Sequence, residues 1–291
     1  MMAASETLLE KLFRKILQQG SIPNHVALIL DGNRRYAREN NMQTIEGHRK
    51  GKNTFKKLVN WNAICGVKEV TVFAFSIQNF NRSTQEVNDL MALFRSTIHE
   101  ILGNKEIMTN GRVQFIGNWP LFPKDLKPLI SKLMVDTRNN TKITVNIAFA
   151  YAGRDEITSG VKNLLHGVAN KALTLSNVNE DLLDKSLQLY SMSPVDLLIR
   201  TGECRLSDFL AWGSSDHAVI CFRDEYWPSF TYWGLLECVF YYQANKFRIQ
   251  QDFQEEEKNY QQSWKFLSML KKGLWKTVEN HDERQRNFGV Q

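Results

Sequence analysis

The segment Asp31-Gly-Asn-Arg-Arg35 sets one carboxylate among cations, and Arg38 follows three residues on. Arginine recurs after other short apolar runs: Arg82 closes residues 76–82, Arg154 closes 151–154, and Arg200 and Arg205 precede Ser207. A guanidinium offers a planar fork of donors that matches phosphate oxygens. One basic residue neutralises a diphosphate poorly, so two arginine clusters point to two diphosphates or one long polyanion. Mg²⁺ commonly takes one or two carboxylates plus substrate phosphates, and Asp31 can supply such a carboxylate. Gly32 lets the backbone approach an oxygen, and a helix starting there aims its amide end at an anion. A lone Asp-Gly-Asn triplet is ordinarily a turn. Its combination with arginines at several strand ends is what carries the reading.

The elements that must position these residues are legible as alternating patterns. Residues 26–30, 69–75, 113–116, 143–149, 195–199 and 218–222 are short, apolar and rich in β-branched types. Helical spacing covers 51–64, 84–101, 123–137, 155–169 and 181–189. Six buried strands with helical crossovers predict an α/β single domain, with a central six-stranded, mostly parallel sheet flanked by helices. Ligands of such sheets bind beyond the carboxyl ends of the strands, where the arginines recur. Residues 5–20 read as an amphipathic helix. Leu8, Leu9, Leu12, Phe13, Ile16 and Leu17 share one face, suited to docking on the core or to a membrane surface. Residues 232–275 read as helical, with a solvated charged run at 255–258, and 281–291 as a polar tail.

Bulk properties narrow the class. The 291 residues are 43% hydrophobic and 23% charged, ordinary for a globular domain with a sizeable core. The formal charge of +6 suits phosphorylated ligands, nucleic acid or an anionic membrane without choosing among them. Four cysteines show no CxxC spacing, so free thiols in an intracellular protein are expected. Cys65, Cys221 and Cys238 sit in apolar surroundings, whereas Cys204 lies between charged residues where it could touch a ligand. No apolar run is long enough to span a membrane, and no signal peptide is expected. The GxxxxGK[ST] loop, the GxGxxG turn, paired DDxxD boxes, zinc spacing and the GxSxG elbow are all missing. Those gaps argue against nucleotide kinases, dinucleotide enzymes, helical trans-prenyltransferases and serine hydrolases.

From residue 22 to 288 the chain resembles the cis-prenyltransferases, the undecaprenyl and dehydrodolichyl diphosphate synthases. The resemblance rests on HVALILDGNRRYA, EGHRKG, VTVFAFSIQNFNRS, ITVNIAFAYAGRDEI, VDLLIRTGECRLSDFLAW and the Trp227-Pro228 pair, in that order. The form looks closer to the eukaryotic dolichol-type enzymes. It implies addition of isopentenyl diphosphate units to an allylic, farnesyl-type diphosphate, each new double bond being cis, to give a long-chain polyprenyl diphosphate. A non-catalytic partner subunit of the same fold is the alternative, disfavoured because such subunits usually lose the aspartate and arginines.

The resemblance also implies roles. Asp31 holds Mg²⁺ on the allylic diphosphate, which Gly32, Asn33, Arg34, Arg35 and Arg38 cradle with His48 nearby. Ser76 and Asn79 sit near the point of attack and proton loss, and Arg82 supports the charge balance. Arg200, Arg205 and Ser207 bind isopentenyl diphosphate. Phe73, Ala74, Phe75, Phe80 and the helix through 87–98 line a hydrophobic product tunnel, and the small Ala74 favours a long product. This chain departs from the family at Thr44, at Gln78, in an RTGECR loop one residue short, and in lacking an acid in the 218–222 strand. Arg284, Arg286 and Gly289 resemble the family's RxG-type ending, which predicts a homodimer that supplies its own tail. The alternative is a heteromer with a Nogo-B-receptor-like subunit. Peripheral work at the cytosolic face of the endoplasmic reticulum, with no nucleic acid, completes these expectations.

Overall fold

The computed structural model describes residues 7–187, 192–249 and 261–288. Each expected apolar run forms a strand: β1 (His25–Ile29), β2 (Glu69–Ser76), β3 (Gly111–Ile116), β4 (Ile143–Tyr151), β5 (Leu197–Thr201) and β6 (Val219–Arg223). They pair in the order β3-β4-β2-β1-β5-β6, with every pairing parallel. Burial on both faces is visible within β1 itself. Val26 and Leu28 join one core cluster, while Ala27 joins the other with Ile29. That is why these strands read as continuous apolar runs rather than alternating ones.

The helices are α1 (Leu8–Leu17), α2 (Asn33–Glu39), α3 (Thr44–Cys65), α4 (Thr84–Leu102), α5 (Lys105–Asn110), α6 (Leu126–Thr137), α7 (Gly153–Ala169), α8 (Glu180–Leu187), α9 (Tyr232–Ile249) and α10 (Gln261–Phe288). The chain runs from β1 to β2 on one side and reaches β5 on the other, so the β1–β5 junction is the topological switch point. At the opposite end of the strands a buried polar chain ties the sheet together. His25 Nε2 meets Thr71 Oγ1 at 2.7 Å, and Asn146 Nδ2 donates to Thr71 Oγ1 at 3.0 Å and to Glu69 Oε1 at 2.6 Å.

Three differences from the sequence reading have local causes. α3 starts at Thr44 rather than at 51. Its glycines look like breakers but serve close packing. A Cβ on Gly47 would lie 2.2 Å from the Asn33 carbonyl oxygen, and one on Gly51 would lie 2.1 Å from Asn33 Oδ1. The apolar face of α1 divides: Leu17 is buried and Phe13 packs edge-on against Trp233 at 5.1 Å, while Leu8, Leu9, Leu12 and Ile16 are exposed. α10 carries helix through Arg284 and Arg286 to Phe288, where a polar tail was expected. Gly289, the run 255–258, and residues 188 and 189 of the expected 181–189 helix lie outside the described residues. No helix among the described residues is long and apolar enough to cross a membrane.

Candidate active site

A cavity of about 1180 Å³ opens at the carboxyl ends of β1, β2 and β5. Every residue expected at the site from Asp31 to Ser207 lines it: Asp31, Gly32, Asn33, Arg34, Arg35, Arg38, His48, Ser76, Asn79, Arg82, Arg200, Arg205 and Ser207. Its deeper wall is apolar and includes Phe55, Leu90, Leu93, Phe94, Ile98 and Ile147. One end is thus made for anions and the other for hydrocarbon.

Asp31 lies two residues past the end of β1, and the backbone around it is fixed from both sides. Its N–H donates to Thr201 Oγ1 at 3.2 Å, and the Thr201 hydroxyl donates to the Asp31 carbonyl at 2.8 Å. The Trp227 N–H donates to the same carbonyl at 2.8 Å. The carboxylate accepts from the Gly32 N–H at 2.6 Å and from Arg200 Nη2 at 2.8 Å, and Arg35 Nη2 stands 3.3 Å away. Gly32 caps α2 at φ 100°, a conformation that favours glycine.

Arg200 lies on β5 beside Ile29 and is only 2% exposed. Its guanidinium donates to Asp31, to Glu203 Oε2 at 3.0 Å, to Ser207 Oγ at 2.6 Å and to the Arg205 carbonyl. Its Nε is buried without a partner among the described residues. Glu203 also accepts from Arg205 Nε at 2.5 Å and stands 3.5 Å from Arg35 Nη2. Asp31 and Glu203 therefore share two guanidinium groups, although they come from different strand ends.

A second group surrounds Glu86 on α4. Arg82 Nη1 donates to its carboxylate at 2.8 Å, Arg34 lies 4.0 Å away, and His48 Nε2 is 3.9 Å away, too far for a hydrogen bond. His48 Nε2 is buried without a hydrogen-bond partner among the described residues. Burial, with Arg82 and Arg34 adding to it, pulls the His48 imidazole down to about 4. It is therefore neutral at pH 7 and can donate one N–H to an anion. The folded state resists a proton that the unfolded chain takes near 6.5, so this group costs stability as pH falls from 6.5 towards 4.

Ser76 and Asn79 cap each other. The Asn79 N–H donates to Ser76 Oγ at 3.2 Å, and the Ser76 N–H to Asn79 Oδ1 at 3.0 Å. The Ser76 O–H and the Asn79 amide donors are not used in this exchange. The pairing of β2 with β4 shifts register around Phe75, an irregularity that bends a strand and re-aims its side chains. Phe73, Ala74, Phe75 and Ser76 all reach the cavity there. Phe80 is not among its lining residues; it packs against Phe75 at 4.8 Å. Cys204 is exposed and does not line the cavity, and Cys65, Cys221 and Cys238 are buried as expected.

Sequence reasoning missed Glu86, Glu203 and Thr201. Only Glu86 left a local signal, its i, i+4 spacing from Arg82. Among the described residues no three histidine, cysteine or acidic side chains converge on one point. A cation here would rest on one or two carboxylates and on oxygens brought by substrate. Asp31 fits that requirement. Its carboxylate is 34% exposed at the cavity, and Mg²⁺ takes few protein oxygens when phosphates complete its shell.

A smaller cavity, of about 100 Å³, lies beyond β4 and includes Tyr151, Asp155 and Glu156. Tyr151 O–H donates to Glu156 Oε2 at 2.5 Å. Burial is the main force pushing Glu156 up to about 7. The folded state thus holds a proton that the unfolded chain releases near 4.5, and stability falls as pH rises towards and through 7. Glu156→Gln should melt higher than wild type at pH 8, with the gap closing at pH 5, in thermal denaturation at both values.

The parallel sheet, the switch-point aspartate and the flanking arginines define an enzyme that handles phosphorylated ligands at strand ends. Residues 29–250 match the prenyltransferase family model described as undecaprenyl diphosphate synthase, so the chain belongs to that family and is a prenyltransferase. It is 39% identical over 261 residues to the human dehydrodolichyl diphosphate synthase complex subunit DHDDS, covering 88% of this chain and 78% of that one. It is 35% identical over 235 residues to the tritrans,polycis-undecaprenyl-diphosphate synthase (geranylgeranyl-diphosphate specific) of Picrophilus torridus, covering 80% and 92%. A crystal structure of lavandulyl diphosphate synthase from Lavandula x intermedia, in complex with dimethylallyl diphosphate, superposes with a TM-score of 0.70. That match has 30% identity and covers 76% of this chain and 95% of that one.

Proposed function

We propose that this chain is a cis-prenyltransferase that condenses isopentenyl diphosphate with an allylic, farnesyl-type diphosphate, making a long-chain polyprenyl diphosphate for dolichol synthesis. The observation that carries the reading is the meeting of two arginine-bearing strand ends on Asp31 at the mouth of a cavity with apolar walls. One end suits two diphosphates and the other suits a growing isoprenoid.

In each cycle the C1–O bond of the allylic diphosphate breaks and its electron pair leaves with the diphosphate. The terminal carbon of isopentenyl diphosphate bonds to C1, and a proton leaves its C2, creating the new double bond. Arg34, Arg35 and Arg38, with the neutral His48 and the close backbone approach at Gly32 and Asn33, receive the departing diphosphate and stabilise charge as it develops. Arg200, Arg205 and Ser207 hold the isopentenyl diphosphate, and Arg82 offsets its charge with that of the allylic group. Ser76 and Asn79 orient the reacting carbons and guide the proton. Asp31 and substrate oxygens would hold Mg²⁺, which would neutralise the leaving diphosphate. The apolar wall keeps water from the cationic carbon.

The product is read as threading past Ala74 along α4 as a tunnel. The exposed leucines of α1, with Lys11 and Lys15 beside them, fit peripheral contact with the endoplasmic reticulum membrane. The Arg284, Arg286 and Gly289 segment serves a homodimer, completing the neighbouring site. The test is transfer of label from isopentenyl diphosphate into lipid by the purified chain. Transfer should require Mg²⁺ and an allylic starter, and product formed only with an added partner subunit would replace the homodimer by a heteromer.

A further inference from the structure

Arg35 is the only side chain on α2 that reaches the β5 loop through a hydrogen bond among the described residues. Its Nη1 donates to the Gly202 carbonyl at 2.9 Å, and its Nη2 faces Asp31 at 3.3 Å and Glu203 at 3.5 Å. It is thus a strut between the loop read as allylic and the loop read as isopentenyl. A long side chain loses rotamer entropy when held in such a bridge, so something must fix it.

Tyr226 occupies that place. Its ring lies under the Arg35 guanidinium, 5.2 Å from guanidinium carbon to ring centroid. The ring is fixed at both ends of α2. At one end it packs on Gly32 so closely that a Cβ there would come within 2.7 Å of Tyr226 Cβ and Cδ1. At the other, its hydroxyl donates to Glu39 Oε1 at 2.7 Å. The adjoining Trp227 is anchored in turn, its N–H on the Asp31 carbonyl at 2.8 Å and its Nε1 on the Gly51 carbonyl at 2.8 Å. Tyr226 itself is absent from the cavity wall.

We propose that Tyr226 is a positioning residue whose ring holds Arg35 across the two diphosphate subsites, so that it governs diphosphate affinity and, through the leaving diphosphate, turnover. This rests on the function proposed above, and the ring acts only through Arg35. A cation held over an aromatic face gains enough for a several-fold change in affinity. The hydroxyl tether is secondary, because the packing on Gly32 already orients the ring.

The test compares wild type, Tyr226→Leu, Tyr226→Phe, Arg35→Lys and the Tyr226→Leu/Arg35→Lys double variant. KM for both diphosphates and kcat are measured, together with calorimetric binding of inorganic pyrophosphate without metal. Tyr226→Leu should raise both KM values and the pyrophosphate Kd about fivefold and lower kcat about threefold or more, because Arg35 also meets the leaving diphosphate. Tyr226→Phe should stay within about twofold of wild type throughout, because the ring remains. In the Arg35→Lys background Tyr226→Leu should add almost nothing, since the planar partner is already gone. Unchanged KM and Kd in Tyr226→Leu, a Phe variant as impaired as Leu, or additive effects in the double variant would each overturn the proposal. If Tyr226→Leu does not fold, the same cycle with Tyr226→Met, which also removes the ring, decides by the same additivity. Absence of isoprenoid transfer by wild type would sink the proposed function instead, while the pyrophosphate arm would still judge Tyr226.

Discussion

Asp31→Asn should lower kcat at least about a thousandfold, the scale seen when a group facing transition-state charge is removed. The fold should survive. The amide oxygen can still accept from the Gly32 N–H, and Arg200 keeps Glu203 as a carboxylate partner. The sharper expectation concerns binding. Asp31 is an anion among guanidiniums, so neutralising it leaves the cluster more positive. Inorganic pyrophosphate without metal should bind Asp31→Asn at least as tightly as wild type. The gain in pyrophosphate affinity that Mg²⁺ gives the wild type should disappear. Calorimetry with and without Mg²⁺ separates the two effects. A variant that loses metal-free pyrophosphate binding would mean that Asp31 organises the arginines instead of serving a cation.

Arg200→Ala should be the most damaging arginine substitution. This guanidinium is almost fully enclosed and joins Asp31, Glu203, Ser207 and the Arg205 backbone. Its loss leaves two carboxylates facing each other with only Arg35 common to both. The cost to folding should be about 2 kcal/mol, below that of a fully buried broken pair because Asp31 and Glu203 are each about one third exposed. The cost to kcat/KM for isopentenyl diphosphate should be about a hundredfold or more, because the group that fixes Ser207, Arg205 and Asp31 around the substrate is removed. Arg200→Lys should recover little, since one ammonium cannot serve four acceptors in a plane. Denaturant unfolding and steady-state kinetics on the two variants measure these effects. Equal activity in Arg200→Lys and wild type would contradict the role given to the fork.

The sheet was legible in the sequence because a strand buried on both faces must be apolar throughout, as residues 26–29 and 197–199 are. The glycine-bearing start of α3 was not, because Gly47 and Gly51 are explained by Asn33, Ala37 and Trp227, which approach from other elements. The cationic residues of the site were legible because chemistry at strand ends repeats one residue type. Their acidic partners were not. Arg200 meets Asp31 across 169 positions, a pairing that no local pattern encodes. Glu203 read as one letter of a loop motif, and only the folded loop sets its carboxylate against three arginines. Tyr226 likewise stood next to the noticed Trp227 and Pro228, yet its contacts with Gly32, Arg35 and Glu39 exist only once α2 is in place.

The most direct measurement is the mass spectrum of the lipid formed by the purified chain from farnesyl diphosphate, excess isopentenyl diphosphate and Mg²⁺. The structure predicts polyprenyl diphosphates spaced by five-carbon units, each unit entering with loss of one diphosphate and one proton, and none formed by Asp31→Asn. Hydrolysis of the starter without any five-carbon addition, or the same series from Asp31→Asn, would contradict it.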